Sequence, residues 1–392
     1  MSSPDLTELE IEAGTNVLSS GRLSIGPQLE AFEKAIATYV GSKYAIGVSS
    51  GTAGLHLSVI AAGVGERDLV ITTPFSFIAS ANVILYERAI PVFVDVEPRT
   101  GNINPDLVAD AIQDIKSVPE KTDRWLPPAL RGGQSSKTPM KIKAVVPVHA
   151  YGQPADLDSI LAIARQFNII VIEDACEAVG SEYKHRKVGP LGNCGVFAFY
   201  PNKQITTGEG GMIVTNDDEW ANLFRSLRNQ GRDKFNAWLN HSRLGYNYRL
   251  DEMSAALGAV QMSRIEELIT KREKVASWYN MRLKDVENME IPYITPSTTR
   301  VSWFVYVVQL NPKINRSQAM NELEARGIPS RPYFSPIHLQ PFYIEKFGYK
   351  RGDFPVTEYL GDVSLALPFS GVMIEEQVDY VCRNLIEIIL KK

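Results

Sequence analysis

Between residues 43 and 215, short apolar runs alternate with segments whose apolar residues recur at helical spacing. Such alternation predicts a mostly parallel sheet wrapped by helices. Residues 44–48, 69–72, 92–94, 144–148 and 169–173 read as strands; 53–62, 78–86, 105–115 and 157–167 read as helices. Two further apolar runs, 196–200 and 212–215, flank a glycine-rich turn and read as a hairpin. Past Arg249 the texture changes. Residues 251–281 read as largely helical, 303–310 as β-rich, and 317–326 and 374–390 as helices. The expected fold class is α/β, a mostly parallel sheet of the seven-stranded type sandwiched by helices, followed by a smaller C-terminal α+β domain. The boundary is placed at residue 252: a large domain over 1–252, with an N-terminal arm, and a small one over 253–392. Residues 119–139, with Pro-Pro, Gly-Gly and Ser-Ser pairs, read as a solvated loop inserted before a strand.

Composition narrows the classes without naming a chemistry. With 392 residues, 44% hydrophobic and 22% charged, the chain has the make-up of a globular enzyme large enough for two cores. A formal net charge of −4 argues against dedicated nucleic-acid binding. Cys176, Cys194 and Cys382 are odd in number and lack C-x-x-C spacing, so neither a disulfide framework nor a metal site is expected. A reducing, cytoplasmic setting is expected, with no membrane span, because no run approaches the ~18 apolar residues that crossing requires.

In open parallel sheets ligands bind beyond the carboxyl ends of the strands. Ser50-Gly51-Thr52, Thr73 to Phe77, and Asp174 all follow predicted strand ends, so one cleft can gather them. The hairpin segment Phe199-Tyr-Pro-Asn-Lys203-Gln-Ile-Thr-Thr-Gly-Glu-Gly-Gly211 adds a lysine on a stiff support. Taken alone, Lys203 would be a solvated surface residue. On a partly desolvated hairpin its neutral amine is favoured, and a neutral amine can form a Schiff base. Asp174 alone could be an ordinary helix cap; beside such an amine it is what pyridoxal phosphate needs to keep its ring nitrogen protonated. The start of the helix after Ser50, with the Thr52 hydroxyl, offers an anion site for the cofactor phosphate. Phe77 is either plain core or a ring that stacks on the cofactor.

These residues lead to a family. Gly26-Pro27 with Phe32-Glu33, Gly51-Thr52, Thr73-Pro-x-Ser-Phe77, the run from Pro147 to Asp156, Glu173-Asp-Ala-x-Glu177-Ala, the Lys203 segment and Leu244-Gly-Tyr-Asn247-Tyr-Arg-Leu-Asp251 occur in a characteristic order. From about Gly26 to Gly371 the chain closely resembles the DegT/StrS-type nucleotide-sugar aminotransferases, fold-type-I pyridoxal phosphate enzymes. The resemblance implies that Lys203 is the Schiff-base lysine and Asp174 the pyridine partner, with Glu177 beside the ring hydroxyl. It further implies Phe77 as the stacking aromatic and Gly51, Thr52 and Ala53 as phosphate contacts. Asn247 matches an asparagine that reaches the phosphate of the neighbouring subunit, which implies a homodimer with shared sites. One departure is Ala198, where the family often has a serine that contacts the phosphate.

The implied reaction is a two-step transamination, with glutamate as donor, a nucleotide-linked keto sugar as acceptor and pyridoxamine phosphate as the intermediate cofactor form. Members with Lys-x-Ile-Thr-Thr-Gly-Glu-Gly-Gly mostly aminate the C4 carbon, whereas those acting at C3 more often carry Gly-Asp-Gly-Gly. The expectation is therefore a 4-keto sugar, whose product feeds polysaccharide, glycan or secondary-metabolite synthesis. His338, in the segment Arg331-Pro-Tyr-Phe-Ser-Pro-Ile-His338, is a candidate sugar contact, with a packed interior histidine as the alternative. A pyridoxamine-dependent dehydratase of the same fold is disfavoured because those relatives replace the lysine, usually by His. A cofactor-sensing regulator lacks any helix-turn-helix or basic region here, and the cysteines lack the mobile-loop setting a desulfurase needs.

Overall fold

Seven apolar runs do form one sheet. The computed structural model describes residues 3–132, 140–233 and 240–390. Its large sheet comprises β1 (Tyr44–Val48), β2 (Leu69–Thr72), β3 (Ile90–Phe93), β4 (Ile142–Val145), β5 (Ile170–Asp174), β6 (Cys194–Ala198) and β7 (Gly211–Thr215). Their spatial order is β1-β7-β6-β5-β4-β2-β3. Only β7 runs against its neighbours; β6, β5, β4, β2 and β3 pair in parallel. β2 and β3 are buried along their whole length, as strands covered on both faces must be.

Side-chain alternation divides the core into two layers. Leu69, Ile71, Met212 and Val214 point to one face, where they meet Phe32 and Ile36 of α2 (Pro27–Val40), Val108 and Ile112 of α5 (Pro105–Ser117), and Leu157 and Ile160 of α6 (Leu157–Gln166). Val70 and Ile213 point to the other, against Leu55 and Leu57 of α3 (Gly51–Ala61), Val83 and Ile84 of α4 (Ala79–Tyr86), and Phe224 of α7 (Asp218–Arg228). The period of two thus lets a single strand serve both helix layers.

Beyond β7 the expected long helix is two, α8 (Glu252–Ser263) and α9 (Ile265–Leu283), broken at Arg264. Leu268 and Ile269 of α9 belong to the core of the large sheet, whereas Val275 and Tyr279 belong to another. That second core lies on a four-stranded sheet ordered Met289–Glu290, Tyr306–Leu310, Ser364–Leu367 and Arg331–Pro332. α10 (Arg316–Ala325) and α11 (Glu375–Leu390) contribute Leu323, Val378 and Leu385 to it. The arm is helical as α1 (Glu8–Ser20), opened by a Thr7–Glu10 capping box.

The insertion is more ordered than a solvated loop. Its first part forms two 3₁₀ turns, Pro119–Trp125 and Pro128–Leu130, and the Trp125 indole donates to Asp114 Oδ2 at 2.9 Å. Leu126 is buried behind them, so apolar docking outweighs the Pro and Gly content; residues 133–139 of that insertion lie outside the described residues. The predicted strand at 196–200 ends two residues early, because after Ala198 the ladder closes through Phe199 N–H to the Gly210 carbonyl. Among the described residues, no helix is long and apolar enough to cross a membrane.

Candidate active site

The carboxyl ends of β5 and β6 and the start of α3 open onto a cavity of about 530 Å³. Its lining includes Gly51, Thr52, Phe77, Asp174, Glu177 and Lys203.

Close backbone packing sets the α3 wall. Ser50 caps the helix, its Oγ accepting from Ala53 N–H at 3.0 Å. A side chain at Gly51 would place its Cβ 2.7 Å from Ala198 Cβ and 2.9 Å from Cys176 Sγ, so glycine is required for this approach. Gly51 and Thr52 line the cavity; Ala53 does not, and its amide is already used by the cap. The helix start nonetheless offers a positive dipole end and first-turn amides to an anion.

Asp174 closes β5 and is buried. Its Oδ2 accepts from Ser80 Oγ at 2.6 Å and its Oδ1 from Cys176 N–H at 3.2 Å. These two donors fix the carboxylate plane. Phe77 stands on the other wall, and with 67% of its surface exposed it is not a core residue. The plain-core alternative for Phe77 is therefore set aside.

Lys203 follows the turn Tyr200–Lys203, closed by Lys203 N–H to the Tyr200 carbonyl at 2.9 Å. Its side chain is 13% exposed, with Nζ 3.7 Å from Glu177 Oε1 and 3.8 Å from the centre of the Phe304 ring. Glu177 Oε2 accepts from Tyr151 N–H at 2.9 Å. Burial pushes the Glu177 carboxyl above the usual carboxylate range, and the charge of Lys203 only partly offsets this. Burial likewise pushes the Cys176 thiol far up, which leaves it a neutral wall residue.

Two expected residues lie elsewhere. Asn247 is exposed and outside this chain's own cavity, in a segment bridged to Asn229. His338 is fully buried and paired with Glu358 Oε1 at 3.0 Å, edge-on to Phe354. Burial holds His338 below the usual histidine range, despite Glu358. It is a packing residue, and the structure does not bring it to the cavity. Sequence reasoning overlooked Ser80, Tyr200, Phe304 and Tyr333, which line the cavity together with Asn202, a candidate replacement for the contact missing at Ala198. Ser80 had a signal, standing three residues after Phe77 at the first turn of α4, hence on the same side.

The family model of the DegT/DnrJ/EryC1/StrS aminotransferases matches residues 4–386. The chain belongs to that family. A DegT/DnrJ/EryC1/StrS relative, the GDP-perosamine synthase of Caulobacter vibrioides, is 38% identical over 94% of this chain and 91% of its own. Among solved structures, a family aminotransferase from Brucella abortus superposes with a TM-score of 0.86 at 30% identity, covering 97% of this chain and 95% of that one. DesV from S. venezuelae, solved in complex with a ketimine intermediate, gives a TM-score of 0.85 at 31% identity, covering 96% and 93%. The chain is thus an aminotransferase of the DegT/DnrJ/EryC1/StrS family, which is pyridoxal phosphate-dependent.

The cavity residues fit such a cofactor: an amine, a fixed carboxylate, a helix start without a Cβ at Gly51, and an exposed ring line one space. Asn202 Oδ1, buried in the same wall, has no hydrogen-bond partner, so polar capacity is left over for a ligand.

Proposed function

We propose that this chain transfers an amino group from glutamate to the C4 keto carbon of a nucleotide-linked sugar, using pyridoxal phosphate held at Lys203. The observation that carries this reading is the Lys203 amine, lining one cavity with Asp174, Thr52 and Phe77. When bound, the cofactor supplies a carbonyl that condenses with amines and a ring that accepts the electron pair left at the neighbouring carbon.

The roles follow from the surroundings of each group. Thr52 and the first turn of α3 bind the phosphate, and Phe77 stacks on the ring. Asp174, held by Ser80 and the Cys176 amide, keeps a carboxylate at the pyridine nitrogen. Glu177 lies beside the ring hydroxyl. Lys203 holds the cofactor at rest. Freed by the incoming donor, its Nζ takes the proton from the donor's α-carbon and later gives one to C4 of the sugar. The Phe304 ring, 3.8 Å away, covers that amine on one side and limits water there. Where Ala198 lacks a hydroxyl, Asn202 takes its place, its amide turned so that Nδ2 donates to the phosphate.

Asn247, exposed and outside the lining of its own cavity, reaches the phosphate of a second copy, which makes the working enzyme a homodimer with shared sites. The three cysteines are free, in keeping with a cytoplasmic setting. The name of the Caulobacter relative puts a GDP-linked sugar first in any substrate panel. The test is product analysis with glutamate and a panel of 3-keto and 4-keto sugars on uridine, thymidine and guanosine diphosphates. A 4-amino product is expected; amination only at C3 would overturn the positional part, and no amination of any sugar would overturn the substrate class.

A further inference from the structure

Arg272 of α9 is 4% exposed, and among the described residues no carboxylate lies within ion-pair distance of it. Charged side chains are seldom buried without a partner. What compensates Arg272 is a set of backbone carbonyls. Nη2 donates to the Lys203 carbonyl at 2.6 Å and, more weakly, to that of Asn202 at 3.5 Å. Nη1 donates to the carbonyls of Trp303 at 3.1 Å and Phe304 at 3.3 Å. Burial alone pushes the guanidinium down to about 10, so it still carries its charge at neutral pH.

One side chain therefore ties together two segments distant in sequence. The first ends in the Lys203 amine; the second carries the ring that lies 3.8 Å from that amine. Trp303 sits at φ +50°, a left-handed conformation that a bulky residue keeps only when its surroundings impose it. The bonds from Arg272 to the carbonyls of Trp303 and Phe304 help to impose it. The ionisable groups facing the amine are Asp174, Cys176 and Glu177 after β5, Tyr200 and Glu209 on its own loop, and Tyr333.

We propose that Arg272 is a positioning residue, whose buried guanidinium clamps the Lys203 and Phe304 segments together and so holds the Lys203 amine against the Phe304 ring. The proposal rests on the reading of Lys203 as the cofactor lysine. A lysine at 272 would keep the charge but could not span both segments, whereas a methionine would lose both.

The test is trace acylation of the protein without added cofactor, read as the labelling rate of the Lys203 peptide at one pH, together with steady-state kinetics of the loaded enzyme. In Arg272→Met the Lys203 peptide should label about threefold faster or more, because an amine no longer held between Glu177 and the Phe304 ring is more open to the reagent. In both Arg272→Met and Arg272→Lys, kcat should fall about tenfold or more with the donor KM within about threefold, the signature of a misplaced reacting group. Arg272→Lys, which can hold only one of the two segments, should label at a rate between those of the parent and Arg272→Met. Lys271→Met, whose side chain faces Asp5 and Glu267, should match the parent in both readouts. Parental labelling rate and parental kcat in the folded Arg272 variants would overturn the proposal; if Arg272→Met does not fold, the labelling rate and kcat of Arg272→Lys decide. Borohydride trapping of pyridoxal phosphate on parental Lys203 separates the two levels. If trapping fails, the reading of Lys203 falls; if it succeeds and the Arg272 variants behave as parent, only the clamp falls.

Discussion

Lys203 and Asn247 are expected to serve the same cofactor, yet the fold treats them in opposite ways. Lys203 is held from several sides: by the turn from Tyr200, by Glu177 at 3.7 Å, and by Arg272 on its carbonyl. Asn247 stands exposed between Tyr246 and Tyr248, whose rings stack on each other with centres 5.0 Å apart. Those tyrosines rest on His56 of α3, and Tyr248 Oη lies 3.1 Å from His56 Nδ1. The segment is thus anchored while its asparagine stays exposed and outside the lining of its own cavity. The difference is one of enclosure: the fold fixes the Lys203 amine among its own side chains and leaves Asn247 on the surface.

The largest effect should come from the enclosed side. Lys203→Ala should lower transamination by about 10⁴-fold, the upper range for a positioned acid–base group. Turnover and retained cofactor absorbance are the measurements; undiminished turnover would remove the amine from the mechanism. Next is Asp174→Asn, which exchanges a charge-assisted contact worth about 1.5–3 kcal/mol for a neutral one and should lower kcat about ten- to hundredfold.

The exposed side is probed by mixing. Subunits of Lys203→Ala and Asn247→Ala, co-refolded, should regain activity that neither has alone, since one of the two mixed sites would keep both residues. Activity equal to the average of the parents' separate values would place Asn247 in its own subunit's site. The smallest effect is a pH dependence. A carboxyl whose folded pKa is raised above its free value of 4.5, as burial does for Glu177, binds its proton more tightly in the fold. It therefore favours the folded state below that value and loses this contribution as pH rises through the raised pKa. Glu177→Gln should flatten that part of the stability profile of the cofactor-free protein, read by thermal melting at a series of pH values. An unchanged slope would contradict the stated burial of this group.

Much of this was legible in the chain because it is local. Strand runs such as Leu69–Thr72 declare themselves by continuous apolar residues, and Asp174, Thr52 and Lys203 are marked by standing where strands end. Phe77 could not be decided by pattern, since a ring after a strand serves a core as well as a cavity; only its exposure separates the two. His338 could likewise not be decided by pattern, because its partner, Glu358, lies 20 residues on and makes an interior pair that no spacing rule announces. Arg272 was invisible for a related reason. In sequence it is one cation in a charged helix, and only the fold puts backbone carbonyls of two distant segments around it. The break at Arg264 has the same character: that side chain binds Asp5 and Glu10 of the arm, over 250 residues away.

The central claim is that the Lys203 amine, in the cavity it shares with Asp174, carries the cofactor. Its most direct test is borohydride reduction of the protein loaded with pyridoxal phosphate, followed by mass analysis of its peptides. The account predicts one cofactor per chain, attached at Lys203, and loss of that attachment when glutamate is added before reduction. Attachment at another lysine, or none at all in protein shown to bind the cofactor, would contradict it.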